Sequence, residues 1–228
     1  MTTPPYTPAF FAAISDGATR SARVVVPLLM ELVRPRSVVD VGCGWGRWLA
    51  VFREAGVSDL LGVDGEYVDA AKAGLSPSEF VPHDLSRPLT VGRAFDLAVS
   101  LEVAEHLPPE SADGFVASLT ALAPVVAFSA AIPGQGGTNH LNEQWPEYWV
   151  AKFAARGFAV VDAIRPAIWS RPDVEWWYAQ NLLLFARPLE IVNRRQLARA
   201  LADTHPGRLG MVHPRCFRRY TGEKEPAG

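Results

Sequence analysis

Ser37-Val38-Val39-Asp40-Val41-Gly42-Cys43-Gly44-Trp45-Gly46 is the stretch whose reading decides the fold. A β-branched apolar run (Val38, Val39, Val41) breaks into glycines at every second position, Gly42, Gly44 and Gly46. Such a run reads as a strand buried on both faces. Glycine tolerates a positive φ and, without a Cβ, lets a bulky ligand approach the main chain. Residues 47–55 read as a helix whose first N–H groups face the same ligand. Together they form a cradle of the kind that holds a nucleotide.

The spacing narrows which nucleotide. A dinucleotide fingerprint is G-x-G-x-x-G, but here the third glycine comes one position early and Arg47 stands in its place. The chain also lacks G-x-x-x-x-G-K-[ST]. Asp40-x-Gly42-x-Gly44-x-Gly46 instead resembles the first motif of class I S-adenosylmethionine-dependent methyltransferases. An acid closing the next strand is that family's second mark, and Leu60-Leu61-Gly62-Val63-Asp64 supplies it, 18 residues past Gly46. The resemblance implies S-adenosylmethionine as cofactor, S-adenosylhomocysteine as product, and Asp40, Gly42, Gly44, Gly46 and Asp64 as binding residues. A carboxylate at position 64 offers the paired acceptor oxygens that two ribose hydroxyls need.

Working outward, residues 10–33 carry apolar residues at helical spacing. They read as two helices broken near Ser15-Asp16-Gly17, with Ser15 or Asp16 capping the second. In the resembling family such helices cover the cofactor. Strands at 37–41 and 59–63 alternate with helices at 47–55 and 66–73, which implies a parallel sheet with right-handed crossovers. Residues 79–85 form a short strand ending in Asp84. The resemblance makes Asp84 the acceptor for the adenine amino group and lays Leu85 against the ring, while the local alternative is that Asp84 only caps a turn. A fourth strand, 95–101, delivers Ser100 and Glu102 to the lip of the site, since ligands in open α/β sheets lie beyond the strands' carboxyl ends. A helix at 111–122, a strand at 125–132, a glycine-rich loop at 133–142, a helix at 143–156 and strands at 158–164 and 179–187 follow.

The expected fold is therefore α/β: a doubly wound, seven-stranded, mostly parallel sheet with an antiparallel last strand and helices on both faces. Residues 1–36 form an N-terminal helical cover, 37–187 the methyltransferase domain, and 188–228 a short helical, basic tail with a helix at 190–202.

Glu102-x-x-Glu105-His106 is the candidate catalytic cluster. On a helical turn these residues share one face, so two carboxylates and an imidazole converge as a metal site or as an acid–base group. The pattern resembles that of ubiquinone-pathway O-methyltransferases and small-RNA 2′-O-methyltransferases, in which it holds a divalent ion. The RNA enzymes add a later histidine shortly before a tryptophan, and His140, five residues before Trp145, fits that place. A metal set of Glu102, Glu105, His106 and His140 follows from the resemblance. In metal-free relatives the first acid contacts the cofactor and the histidine lines the acceptor pocket. In both cases His106 and His140 are the catalytic candidates, because an acceptor hydroxyl must lose its proton to attack a methyl carbon.

Five of the seven tryptophans lie between residues 145 and 178. Trp145 and Trp149, four apart, read as core. Trp169, Trp176 and Trp177 precede the last strand, where rings stack on a substrate or on the core, and Asn181 points at the same pocket. The Val212-His213-Pro214 tail resembles that of methyltransferase-like proteins from bacterial carbohydrate and secondary-metabolite pathways.

Composition is consistent with this. At 228 residues, 49% apolar and 20% charged, the chain suits one domain with a sizeable core. No basic region followed by an apolar run opens it, no apolar stretch is long enough to span a bilayer, and two cysteines make no disulfide framework. A cytoplasmic protein is expected, with Cys43 a packing residue. From Arg187 on, nine Lys/Arg face four Asp/Glu, which leaves −7 on the preceding residues of a chain whose net charge is −2. That negative part repels phosphate.

The reading that emerges is a methyltransferase acting on a small-molecule acceptor, at a hydroxyl. Its rivals are a metal-dependent nucleic-acid 2′-O-methyltransferase and a non-catalytic cofactor-binding partner subunit.

Overall fold

The computed structural model describes the backbone of residues 8–223 and the side chains from Ser15 onward. Seven strands form one sheet in the order β3-β2-β1-β4-β5-β7-β6. They are β1 (Ser37–Val41), β2 (Asp59–Asp64), β3 (Phe80–Pro82), β4 (Leu97–Leu101), β5 (Val125–Ser129), β6 (Ala159–Val161) and β7 (Leu183–Ala186). Six run parallel, while β7 lies antiparallel to both β5 and β6. The expected architecture is therefore present, and β7 is inserted between β5 and β6.

Alternation along each strand divides the core. Val38, Leu97, Val99, Val125 and Ala127 face one layer, with Val25, Val26 and Leu29 of α1 (Pro8–Val33) and Leu49 and Phe52 of α2 (Arg47–Glu54). Val39, Val41, Ala98, Val126 and Phe128 face the other, against Phe115 and Leu119 of α3 (Ala112–Leu122) and Trp149 and Phe153 of α4 (Pro146–Ala154). Trp149 is core, packed on Phe128 at 5.1 Å, whereas Trp145 is exposed.

The chain departs from the sequence expectations in several places. Residues 10–33 form one helix, not two. The Thr19 and Ser21 hydroxyls donate back to the carbonyls of Ser15 and Gly17, and Gly17 serves close approach, since a Cβ there would meet Glu175 Oε1 at 2.4 Å. Residues 66–74 form successive turns, not a helix, because the Asp69 side chain accepts from the Ala71 N–H and Gly74 turns left-handed at φ 68°. The strand expected at 179–187 begins only at Leu183, and its first part is the end of α6 (Trp176–Asn181). The C-terminal helix divides into α7 (Pro188–Asn193) and α8 (Arg195–Asp203). A short helix α5 (Arg165–Ile168) and a terminal one, α9 (Pro214–Thr221), complete the chain. No helix among the described residues is long and apolar enough to cross a membrane.

Candidate active site

The chain runs outward from β1 through β2 to β3, then returns to place β4 on the other side of β1. The carboxyl ends of β1 and β4 thus flank the crevice where such sheets bind ligands. A cavity of about 640 Å³ opens there.

On its β1–β2 side the glycine loop turns left-handed three times, with φ of 89°, 50° and 63° at Gly42, Gly44 and Gly46. Space demands glycine as well as φ does. A Cβ on Gly42 would stand 2.3 Å from Val103 Cγ2, and one on Gly46 would stand 2.6 Å from the Ala73 carbonyl oxygen. Asp64, nearly fully buried, anchors the loop: its carboxylate accepts from the N–H of Gly44 and of Gly65, both at 2.7 Å, and from the Tyr67 hydroxyl at 2.6 Å. Burial raises its pKa against those three donors. Asp40 lies behind the loop, 3% exposed, with Oδ2 lacking any hydrogen-bond partner. Burial first, and the Asp64 charge second, push it to about 8.

Gly42, Gly44, Asp64, Asp84, Leu85 and Glu102 all line the cavity. Asp84 also caps its own turn, accepting from the Ser86 N–H and hydroxyl, and pairs with Arg87, contacts that hold its pKa low. Asp40, Gly46 and Ser100 stand behind the wall instead of on it. Ser100 is fully buried, and its hydroxyl has no partner among the described residues.

On the β4–β5 side, Glu102 leaves the strand with φ 55°, and Ala104–His106 form a single 3-10 turn. The expected helical face is thus reduced to one tight turn. Glu102 is held by amides: Asn181 Nδ2 donates to Oε1 at 3.1 Å and Gln135 Nε2 to Oε2 at 2.9 Å. Glu105 is fully buried, with neither carboxyl oxygen partnered. Burial and the neighbouring Glu102 charge drive its pKa well up. Its backbone carbonyl accepts from the N–H groups of Leu141 and Asn142, which ties the turn to the glycine-rich loop.

That loop delivers His140 beside His106, ring centroids 4.9 Å apart and nearly perpendicular. His106 Nδ1 lies 3.3 Å from the Asn139 carbonyl oxygen, and burial followed by the His140 charge lowers its pKa to about 4. His140 Nδ1 lies 2.8 Å from Glu143 Oε1. Glu143 is fixed in turn by the N–H groups of Gly134 and Gly136. Glu105, His106 and His140 each place one donor atom within 4.8 Å of the other two. Glu102 does not join them, so the expected four-residue metal set narrows to three.

Sequence reasoning singled out both histidines and Asn181 but missed Glu143, Gln135 and Tyr67. Glu143 alone left a signal, an acid three residues past His140. Of the tryptophans, Trp45, Trp48, Trp176 and Trp177 line the cavity, whereas Trp169 packs on His213 at 4.9 Å.

Fold and site together define a class I methyltransferase architecture, and comparison with known proteins agrees. A family model described as a methyltransferase domain matches residues 15–203, so the chain belongs to that family. None of the curated proteins matches it significantly in sequence. Among solved structures it is similar to the sugar N-methyltransferase KedS8 from Streptoalloteichus, at 16% identity and a TM-score of 0.56, over 82% of this chain and 95% of that one. SAM-bound CalS10, an amino pentose methyltransferase from Micromonospora echinaspora, matches at 16% and 0.56, over 82% and 100%. Magnesium protoporphyrin IX methyltransferase from Synechocystis, with bound SAH, matches at 20% and 0.53, over 78% and 87%. At such identities the likeness speaks for the fold.

Proposed function

We propose that this chain uses S-adenosylmethionine to methylate a hydroxyl of a small-molecule acceptor, with His140 as the base. The left-handed glycine loop, Asp64 on the cavity wall and the buried Asp40 behind it, whose Oδ2 has no partner, fit a cationic adenosine cofactor. When bound, that cofactor supplies an electrophilic methyl group on its sulfonium. A cavity of about 640 Å³ is of small-molecule size. The observation that carries the acceptor chemistry is the His140–Glu143 contact at 2.8 Å. A carboxylate on Nδ1 fixes the tautomer and leaves the lone pair on Nε2, which a hydroxyl needs to lose its proton and an unprotonated amine does not.

Two measurements test this reading. S-adenosylhomocysteine at 100 times its dissociation constant should stabilise the protein by about 2.7 kcal/mol. His140→Ala should lower methyl transfer by about 10²-fold or more while leaving that binding intact. Absence of a thermal shift refutes the cofactor assignment, and an active His140→Ala variant refutes the base.

The three-donor cluster supports a second reading, in which Glu105, His106 and His140 hold a divalent ion that acidifies the acceptor hydroxyl. The buried, unpartnered carboxyl of Glu105 fits a cation. A mixed imidazole and carboxylate set suits Mn²⁺, Fe²⁺ or Zn²⁺ better than Mg²⁺.

A further inference from the structure

The family match ends at residue 203, yet α9 beyond it contributes Arg219 to the cavity wall. The segment carrying α9 is fastened firmly to the body of the protein. Arg165, fully buried, donates to the carbonyls of Leu209 and Arg208. The His213 N–H donates to Gln180 Oε1, and its Nε2 lies 3.0 Å from the Trp169 carbonyl oxygen. Cys216 is buried with Ile132 and Trp176, and Tyr220 lies against Gly134. α9 itself stays largely exposed, with only Cys216 buried, and reaches the cavity through Arg219.

That helix is positive. α9 contains Arg215, Arg218 and Arg219 and no acid. The Arg219 guanidinium forms no hydrogen bond or ion pair with the described residues. The acid of the neighbouring loop, Glu143, is already engaged by His140 and the N–H groups of Gly134 and Gly136. Arg219, itself exposed, thus lines the cavity with its fork of donors unspent, as do Trp176 and Trp177, whose rings stand nearly perpendicular with centroids 5.5 Å apart. A guanidinium matches carboxylate and phosphate geometry in bidentate fashion. The loop bearing His140 and the Trp176–Trp177 wall share the cavity with it.

We infer that Arg219 binds an acidic group, carboxylate or phosphate, on the methyl acceptor and so selects acidic acceptors over neutral ones. This rests on the methyltransferase reading above. The probes are matched pairs offered to the S-adenosylhomocysteine-loaded protein and followed by calorimetry: 4-hydroxybenzoate against 4-hydroxybenzamide, and glucose 1-phosphate against glucose. The acidic member of at least one pair should bind about tenfold or more tightly than its neutral twin, and which pair responds distinguishes carboxylate from phosphate. Arg219→Gln should erase the preference, Arg219→Lys should keep part of it, and Arg215→Gln, outside the cavity lining, should keep it whole. If S-adenosylhomocysteine binds but neither acid is preferred, or the preference survives in Arg219→Gln, the inference is wrong by itself. If S-adenosylhomocysteine does not bind, the methyltransferase reading fails and takes this inference with it.

Discussion

His140 Nδ1 lies 2.8 Å from Glu143 Oε1, at the wall of a cavity whose opposite side is the glycine loop. The contact makes Glu143 a positioning residue, since the amide of a glutamine there could accept or donate and would no longer fix the tautomer. Glu143→Gln keeps an oxygen for the Gly134 or Gly136 N–H groups, so the loop should hold. Turnover should fall by about 10²-fold, with S-adenosylhomocysteine affinity and acceptor KM little changed. Equal losses in kcat and cofactor affinity would instead mean that Glu143 supports the loop alone.

Asp40 provides the pH prediction. Its pKa in the folded chain is raised to about 8. An acid raised on folding contributes its full stability below its unfolded pKa and loses it as pH climbs toward the folded value. The unliganded protein should therefore lose stability between about pH 4 and pH 8 on account of Asp40. A cationic cofactor favours the ionised form, so its binding releases a proton and its affinity should rise with pH up to about 8. Asp40→Asn should stabilise the unliganded protein at pH 8 and flatten the affinity profile of S-adenosylmethionine. A profile in the variant that still tracks the wild type would show that another group titrates.

Much of this arrangement was legible beforehand, for local reasons. Val38 to Gly46 and Leu60 to Asp64 encode strand, turn and acid in consecutive residues, and the structure keeps that order. His106 and His140 were legible as chemistry-bearing types near strand ends. What escaped depends on contacts between distant residues. Ser15 to Gly17 carries a break signal, yet the helix runs through it with Gly17 set against the distant Glu175 side chain. Gln135 acquires meaning only where the fold brings it onto Glu102, 33 residues away. The segment that brings Arg219 to the cavity is tied down by Arg165, whose reach to the Leu209 carbonyl spans 44 residues.

Arg165 carries the stability prediction. It is fully buried, with Nε and Nη2 on the two Asp162 carboxylate oxygens at 2.9 and 2.6 Å and Nη1 on the carbonyls of Gln180 and Leu209. Arg165→Met strands a part-buried carboxylate and three carbonyls, and removing one partner of a fully buried pair costs about 3–5 kcal/mol, which sets the upper end of the loss. Chemical denaturation should show it as a lower midpoint. The double variant Arg165→Met with Asp162→Leu should recover part of the loss, because no charge is then left uncompensated. A single variant within about 1 kcal/mol of wild type would mean that water reaches the site and replaces the guanidinium.

Chelation separates the two roles open to the histidine pair. With His140 as base, prolonged dialysis against EDTA should leave turnover unchanged, and added Mn²⁺ should not raise it. Glu105→Gln should also be tolerated, because burial and the Glu102 charge push this carboxyl toward its neutral form and an amide matches its shape. With an ion held by Glu105, His106 and His140, EDTA should abolish turnover, Mn²⁺ should restore it, and Glu105→Gln should lose the metal. The base reading is the expected outcome, because His140 is oriented by a carboxylate of its own while Glu105 sits in surroundings that favour its proton. Metal-dependent recovery of activity in the wild type, absent in Glu105→Gln, would overturn it and make the three-donor cluster the catalytic centre.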